Sequence, residues 1–302
     1  MEATLNKLQD CINIGKSAKV DAIVLLGDLF DRREEGPEAR NGALKILSEP
    51  RDFPVYITVG NHDIQSSFPL EKSSLGTLIE AGVLIKTDYV ENLGIAFAHF
   101  TPNLDEDIKN GFLTSIDAVI WSCHASLSDK LDRFEEFTIL FEPIPLHEKT
   151  KIVISGHIHH PMRQQRSDDK IFINPGAIGR RSANKDNLSR DLKVLLLEYD
   201  LDGKILKEEY LPLPSAKNYL EVFNLEKISI TKAEKKDAKE FIQKINQIKS
   251  NNWSFAVVED KVSVLKNYAK SQDVEQNIVD VAIKAVEYVN ANNENKLEDF
   301  EL

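Results

Sequence analysis

The chain has 302 residues, of which 42% are hydrophobic and 29% charged, and it carries a formal net charge of −11. That length allows one large domain or two, with a sizeable core. The charge excludes a surface that attracts nucleic acid as a whole, two cysteines exclude a disulfide framework, and no apolar run reaches membrane-spanning length. The cysteine usage fits a reducing, cytoplasmic compartment.

Leu5, Leu8, Ile12 and Ala18 recur near helical spacing, so residues 3–18 read as a helix. Asp21–Leu26 is the first strand. Pro37–Ser48 reads as a helix with proline at an early, tolerated position. Phe53–Val59 is the next strand, and Ser74–Ala81 a helix stopped by Gly82. Val83–Lys86 and Ile95–His99 read as short strands, and Asp105–Phe112 as a surface helix. Ala118–Trp121, Lys151–Ile154 and Ile171–Ile173 are further strands. Val194–Tyr199 and Ile205–Leu211 flank Asp202-Gly203, a hairpin signal. Pro212 and Pro214 mark a boundary. Beyond it, Lys235–Lys249 and Val274–Val289 read as amphipathic helices and Trp253–Val258 as a strand. The acidic, Asn-rich tail reads as disordered. The division is therefore 1–214 for a layered α/β core and 215–302 for a smaller α or α+β appendage.

Four of these strands end in polar residues of one kind. Gly27-Asp28-Leu29-Phe30-Asp31-Arg32 follows the first, Gly60-Asn61-His62-Asp63 the second, Cys123-His124 the third and Gly156-His157-Ile158-His159 the fourth. Sites of open α/β folds lie at the carboxyl ends of strands. A carboxylate, an amide oxygen and imidazoles form a mixed oxygen and nitrogen set, which suits Mn²⁺, Fe²⁺ or Zn²⁺. Two such ions can clamp a phosphoryl group between them. Asp28 can bridge two cations through its two oxygens. His62, beside a ligand, suits a general acid, with Asp63 fixing its tautomer. Cys123 reads as a small buried hydrophobe, and His99, His147 and His160 as surface or satisfied core residues.

This series resembles the calcineurin-like metallophosphoesterases, whose motifs run D-x-H, G-D-x-x-D, G-N-H-D, a lone His and G-H-x-H. Asn174-Pro175-Gly176-Ala177 resembles the stretch that commonly follows. The resemblance covers about residues 1–214 and implies a four-layer α/β/β/α sandwich around two divalent ions, Mn²⁺ foremost. By position it makes Asp28 the bridging ligand and gives Asn61, His124 and His157 to one ion. His159 goes to the other ion, and His62 becomes the catalytic histidine.

The D-x-H motif occurs nowhere in the chain. Two readings follow: a core that lacks its first strand, or a member that holds one metal or is inactive. Gly27-Asp28-Leu29-Phe30-Asp31-Arg32-Arg33 resembles the SbcD-like DNA repair exonuclease branch. That resemblance implies DNA as substrate and an SMC-like ATPase subunit as partner, with pairing into a homodimer left open and no membrane attachment. Arg32, Arg33, Arg163, Arg166, Arg180, Arg181, Lys185 and Arg190 flank the site in sequence and form the expected basic rim. A small-molecule phosphatase or cyclic-nucleotide phosphodiesterase, and a non-catalytic scaffold, are the competing readings.

Overall fold

The computed structural model describes residues 2–64, 69–130, 138–180 and 190–222, together with 279, 280 and 283. The chain divides into two compact units, Met1–Lys217 and Asn218–Leu302. The expected elements at 235–249 and 253–258, and the tail, lie outside the described residues. Of the expected helix at 274–289, the described positions 279, 280 and 283 are helical. Among the described residues no helix is long and apolar enough to cross a membrane.

In the first unit, helix α1 spans Glu2–Ala18 and ends where Lys19 turns left-handed. Strand β1 (Ile23–Leu25) leads to helix α2 (Pro37–Leu47), which opens on proline, and then to β2 (Val55–Ile57). Helix α3 (Ser74–Glu80) starts where the Ser73 side chain accepts the Gly76 N–H, an ordinary N-cap. After β3 (Tyr89–Val90) and β4 (Ile95–Ala98) comes a single six-residue helix, α4 (Leu104–Lys109). Then follow β5 (Ile120–Cys123), β6 (Leu127–Ser128), β7 (Ile139–Leu140), β8 (Ile152–Ser155), β9 (Met162–Gln165) and β10 (Ile171–Asn174). The hairpin β11 (Lys193–Tyr199) and β12 (Ile205–Pro212) turns at Gly203, whose φ is +84°.

A mixed six-stranded sheet runs β3-β4-β5-β8-β10-β9, with β4, β5, β8 and β10 parallel. β1 and β2 form a separate parallel pair. Alternation along β4 sorts its side chains to two faces. Ile95 and Phe97 join Ile120, Ile152 and Ile173 in a core shared with Val24, Tyr56, Leu195 and Leu197 of the other strands. Ala96 and Ala98 join Trp121, Val153 and Phe172 in a second core, closed by Leu104, Ile108 and Phe141. A third core packs Leu8, Ile12, Leu47 and Leu75 against Val55 and Ile57. The order of layers is therefore helices α1–α3, the β1–β2 and β11–β12 strands, the six-stranded sheet, and α4 with its neighbouring loops. This is the mixed α/β sandwich that the sequence implies.

Two expectations change. Val83–Lys86 is not a strand; Ile85 alone bridges to Tyr56, with hydrogen bonds Ile57 N–H to Ile85 O (3.0 Å) and Ile85 N–H to Val55 O (2.9 Å). One bridged residue leaves no ladder to extend. The helix expected to reach Phe112 stops at Lys109, because Gly111 adopts φ +96° and a short 3₁₀ turn, Phe112–Thr114, follows. The two-residue strands β3, β6 and β7, and β9 with its Met-Arg-Gln-Gln sequence, carry no apolar run that sequence periodicity can detect.

Phe172 is wholly buried and stacks on Phe141 at 5.3 Å. Phe172→Ala is expected to cost about 3–5 kcal/mol, read as a lowered urea midpoint at unchanged slope.

Candidate metal centre

Each of the four loops leaves the carboxyl end of a parallel strand: β1 for Asp28, β2 for Asn61, β5 for His124 and β8 for His157. The turns are tight enough to strain the backbone. Asp28 (φ +51°) and His157 (φ +69°) are two of the four non-glycine residues with positive φ among the described residues. That conformation costs roughly 1–2 kcal/mol for a residue bearing a Cβ. The adjacent glycines are needed for closeness. A Cβ on Gly60 would strike the Asp28 carboxylate and backbone nitrogen, and one on Gly27 would strike the His124 ring.

The side chains converge. His124 Nδ1–H donates to the Leu26 carbonyl (2.7 Å), so Nε2 faces the centre. That nitrogen lies 3.0 Å from Asn61 Oδ1, 3.2 Å from Asp28 Oδ2 and 3.2 Å from His157 Nδ1. His157 Nδ1 is 2.9 Å from Asn61 Oδ1. Carboxylate and amide oxygens only accept, so even a proton on one imidazole leaves several lone pairs aimed at each other. A shared cation resolves the conflict. Ligand atoms bound at about 2.1 Å and at right angles lie roughly 3 Å apart, as these do. Asp28, His124 and His157 form the metal-competent group of His, Cys and acidic side chains among the described residues, and Asn61 completes it.

The field favours positive charge at this point. Burial pushes the His124 pKa down, but the hydrogen bond and charge of Asp28 more than reverse it. Burial pushes Asp28 up, and His124 with the His62 N–H pulls it below the usual carboxylate range. His157 is lowered by burial and by the charge of His124. The donor set and its charge therefore fit a divalent first-row ion.

His62 flanks the group. Its backbone N–H donates to Asp28 Oδ1 (2.9 Å), and its Nδ1–H donates to the Asp31 carbonyl (2.8 Å). The tautomer is thus set by a backbone oxygen and not by Asp63, as the sequence had suggested. Asp63 turns inward instead. Its Oδ2 accepts from Gly60 N–H (2.8 Å) and Asp28 N–H (3.0 Å), tying the first two ligand loops together. Its Oδ1 is buried without a partner. Burial, with the nearby charge of Asp28, raises the Asp63 pKa to about 6 against the pull of those N–H groups. His159 is exposed and lies outside the cluster, although its charge is near enough to lower His157. Asn174 braces that loop: its Nδ2 donates to Ile158 O (2.7 Å) and its Oδ1 accepts from Gly176 N–H (2.8 Å). Cys123 is buried and its thiol is pushed up to about 12, as befits a core residue.

The expected basic rim is largely engaged elsewhere. Arg163 binds Glu208 (2.9 Å), and Arg166 binds Asp168 (3.0 Å) and the Ile144 carbonyl (2.7 Å). Buried Arg190 donates to the carbonyls of His159, Ala177 and Gly179, and Arg180 to those of Lys217 and Arg190. Arg33 is half-buried and Arg32 is exposed, whereas Arg181 and Lys185 lie outside the described residues.

A family model for calcineurin-like phosphoesterases matches residues 1–161, a span that includes all four ligand loops. That is more than half of the chain, which belongs to this family. Membership and the cluster together define a metal-dependent hydrolase of phosphoester bonds.

Gly60→Ala is expected to lower divalent-metal affinity at least about tenfold, measured by Mn²⁺ titration, because the ligand carboxylate must move. A second expectation concerns pH in the metal-free protein. The raised Asp63 pKa means that the folded state binds a proton more readily than the unfolded chain. Ionised Asp63 therefore costs stability at neutral pH, and protonation restores it as pH falls through about 6. The stability of the parent relative to Asp63→Asn should rise over that window by on the order of 2 kcal/mol, measured by urea unfolding.

Proposed function

We propose that this protein hydrolyses phosphodiester bonds in DNA. The observation that carries the metal-dependent chemistry is the meeting of Asp28 Oδ2, Asn61 Oδ1, His124 Nε2 and His157 Nδ1, four acceptor atoms from four loops. These residues would hold a divalent ion, Mn²⁺ in our reading, with Fe²⁺ or Zn²⁺ as alternatives. When bound, it supplies Lewis acidity and neutralises phosphoryl charge. A second ion, on Asp28 and His159, rests on the family resemblance; the chain's own sequence offers no D-x-H pair for it.

His62 acts as the general acid in this reading. With Nδ1–H committed to Asp31, proton exchange falls to Nε2, which would protonate the leaving oxygen. The DNA assignment is supported by Gly27-Asp28-Leu29-Phe30-Asp31-Arg32-Arg33, with its exposed Arg32. An SMC-like ATPase subunit as partner and a cytoplasmic location belong to the same proposal. One observation favours a second reading, a small phosphoester substrate: Arg163, Arg166 and Arg190 are held by internal acceptors and do not line a nucleic-acid track.

His62→Ala should lower kcat on bis-p-nitrophenyl phosphate by about 10²–10⁴-fold. Mn²⁺ affinity should be retained, because the bond from residue 62 to Asp28 is made by the backbone. Full activity in this variant would remove His62 from its role. Parallel assays on duplex DNA and the small ester separate the substrates: turnover of the ester alone would sink the nuclease reading. A chain that takes up no divalent ion would favour the scaffold.

A further inference from the structure

Asn61 is the ligand with no charge to draw it toward a cation. Its place must be set by the chain on either side. After it, Asp63 holds Gly60 and Asp28. Before it stands Val59, beyond the last residue of β2 that pairs with β1.

Val59 is held across the gap between the two sheets. Phe100 N–H donates to the Val59 carbonyl (2.9 Å), and Val59 N–H donates to His99 Nδ1 (3.1 Å). A backbone N–H normally finds a strand carbonyl here; an imidazole nitrogen takes that place. The opposite edge of the ring fixes the tautomer, since His99 Nε2–H donates to the Thr87 carbonyl (3.1 Å). The ring stacks on Phe97 at 6.2 Å, and the next residue, Phe100, sets its ring at 88° to that of His124, 6.4 Å away. The end of β4 thus touches two ligands, Asn61 through Val59 and His124 through Phe100.

We propose that His99 is a positioning residue for the metal centre: its neutral imidazole replaces a strand carbonyl and, with the Phe100 N–H, clamps Val59 to the end of β4 so that Asn61 reaches the cluster. Burial and the charge of Lys86 keep the ring neutral, its pKa down to about 4, against the Thr87 bond and the charge of Asp88. This inference rests on the metal-centre reading.

Two experiments test it. Imidazole ¹⁵N shifts of the parent protein should show His99 as the Nε2–H tautomer across the neutral range; an Nδ1–H tautomer or an imidazolium would overturn the clamp, because Nδ1 could not accept. Mn²⁺ titration should show His99→Leu binding about 10–100-fold more weakly than the parent. His99→Asn, whose amide oxygen can occupy the Nδ1 position, should recover to within roughly threefold of the parent. Both variants lose the Thr87 bond, and the titrations are run without denaturant where urea unfolding shows each variant fully folded, so lost stability alone would not separate them. Parent-like affinity in His99→Leu, or equal weakness in both variants, would overturn the proposal. A parent that takes up no Mn²⁺ overturns the metal-centre reading beneath it, an outcome distinct from weakness confined to His99→Leu.

Discussion

Two oxygens and two imidazole nitrogens meet at one point, with separations of 2.9–3.2 Å from His124 Nε2 or His157 Nδ1 to their neighbours, and the first unit is built to hold them there. Asp28 Oδ2, Asn61 Oδ1, His124 Nε2 and His157 Nδ1 gain nothing from proximity unless positive charge sits among them. The energy that keeps them together comes from elsewhere: three apolar cores fix the strand ends, and each ligand loop is short. A folded scaffold of this size can absorb a few kcal/mol of local conflict. The left-handed turns at Asp28 and His157 are part of the same cost.

Hydrogen bonds from groups around the ligands convert strand positions into atom positions. Leu26 O orients His124, Asp63 joins the Asp28 and Gly60 amides, and Asn174 braces the His157 loop from below. Most of these partners are backbone atoms. Their directions follow from parallel strands ending at one level, so that the loops of β1, β2, β5 and β8 open toward a common point. The two sheets meet at this level through Val59, His99 and Phe100, which is why the centre belongs to neither sheet alone.

This explains what could be read from the residues beforehand. Asp28, Asn61, His124 and His157 were visible because each follows an apolar run and bears a metal-binding group, and both signals are local. The elements that carry strong periodicity, α1, α2, β4, β5, β8 and the β11–β12 hairpin, were visible for the same reason. The tautomer of His62 was not, because it depends on the main-chain oxygen of Asp31, which every residue type offers equally. Asp63 reads from the sequence as a partner of His62, but adjacency in sequence says nothing about which way a buried carboxylate turns. His99 reads from the sequence as a surface or satisfied core histidine; its bond to Val59 spans forty positions and needs two sheets in register. Arg163 and Arg166 looked like a basic rim, yet their acceptors lie on β12, in the loop after β7 and just beyond β9, placements that only the folded chain reveals.

The charge distribution bears on how substrate would be gathered. A chain of net charge −11 repels a polyanion at long range, and arginines paired with Glu208 and Asp168 do little to offset that. Exposed pairs of this kind are worth little in stability, but they remove the cations from service as phosphate donors. Attraction for a phosphoester is therefore concentrated where Asp28, Asn61, His124 and His157 would hold a cation, within a Debye length of roughly 8–10 Å. A single phosphodiester can be recognised on that scale. A long duplex needs positive charge spaced along its backbone, and Arg32 is the exposed basic residue among those described beside the first ligand loop. Among the described residues the immediate rim of the centre thus offers little of that spaced charge, and recognition there is confined to the phosphoester group itself.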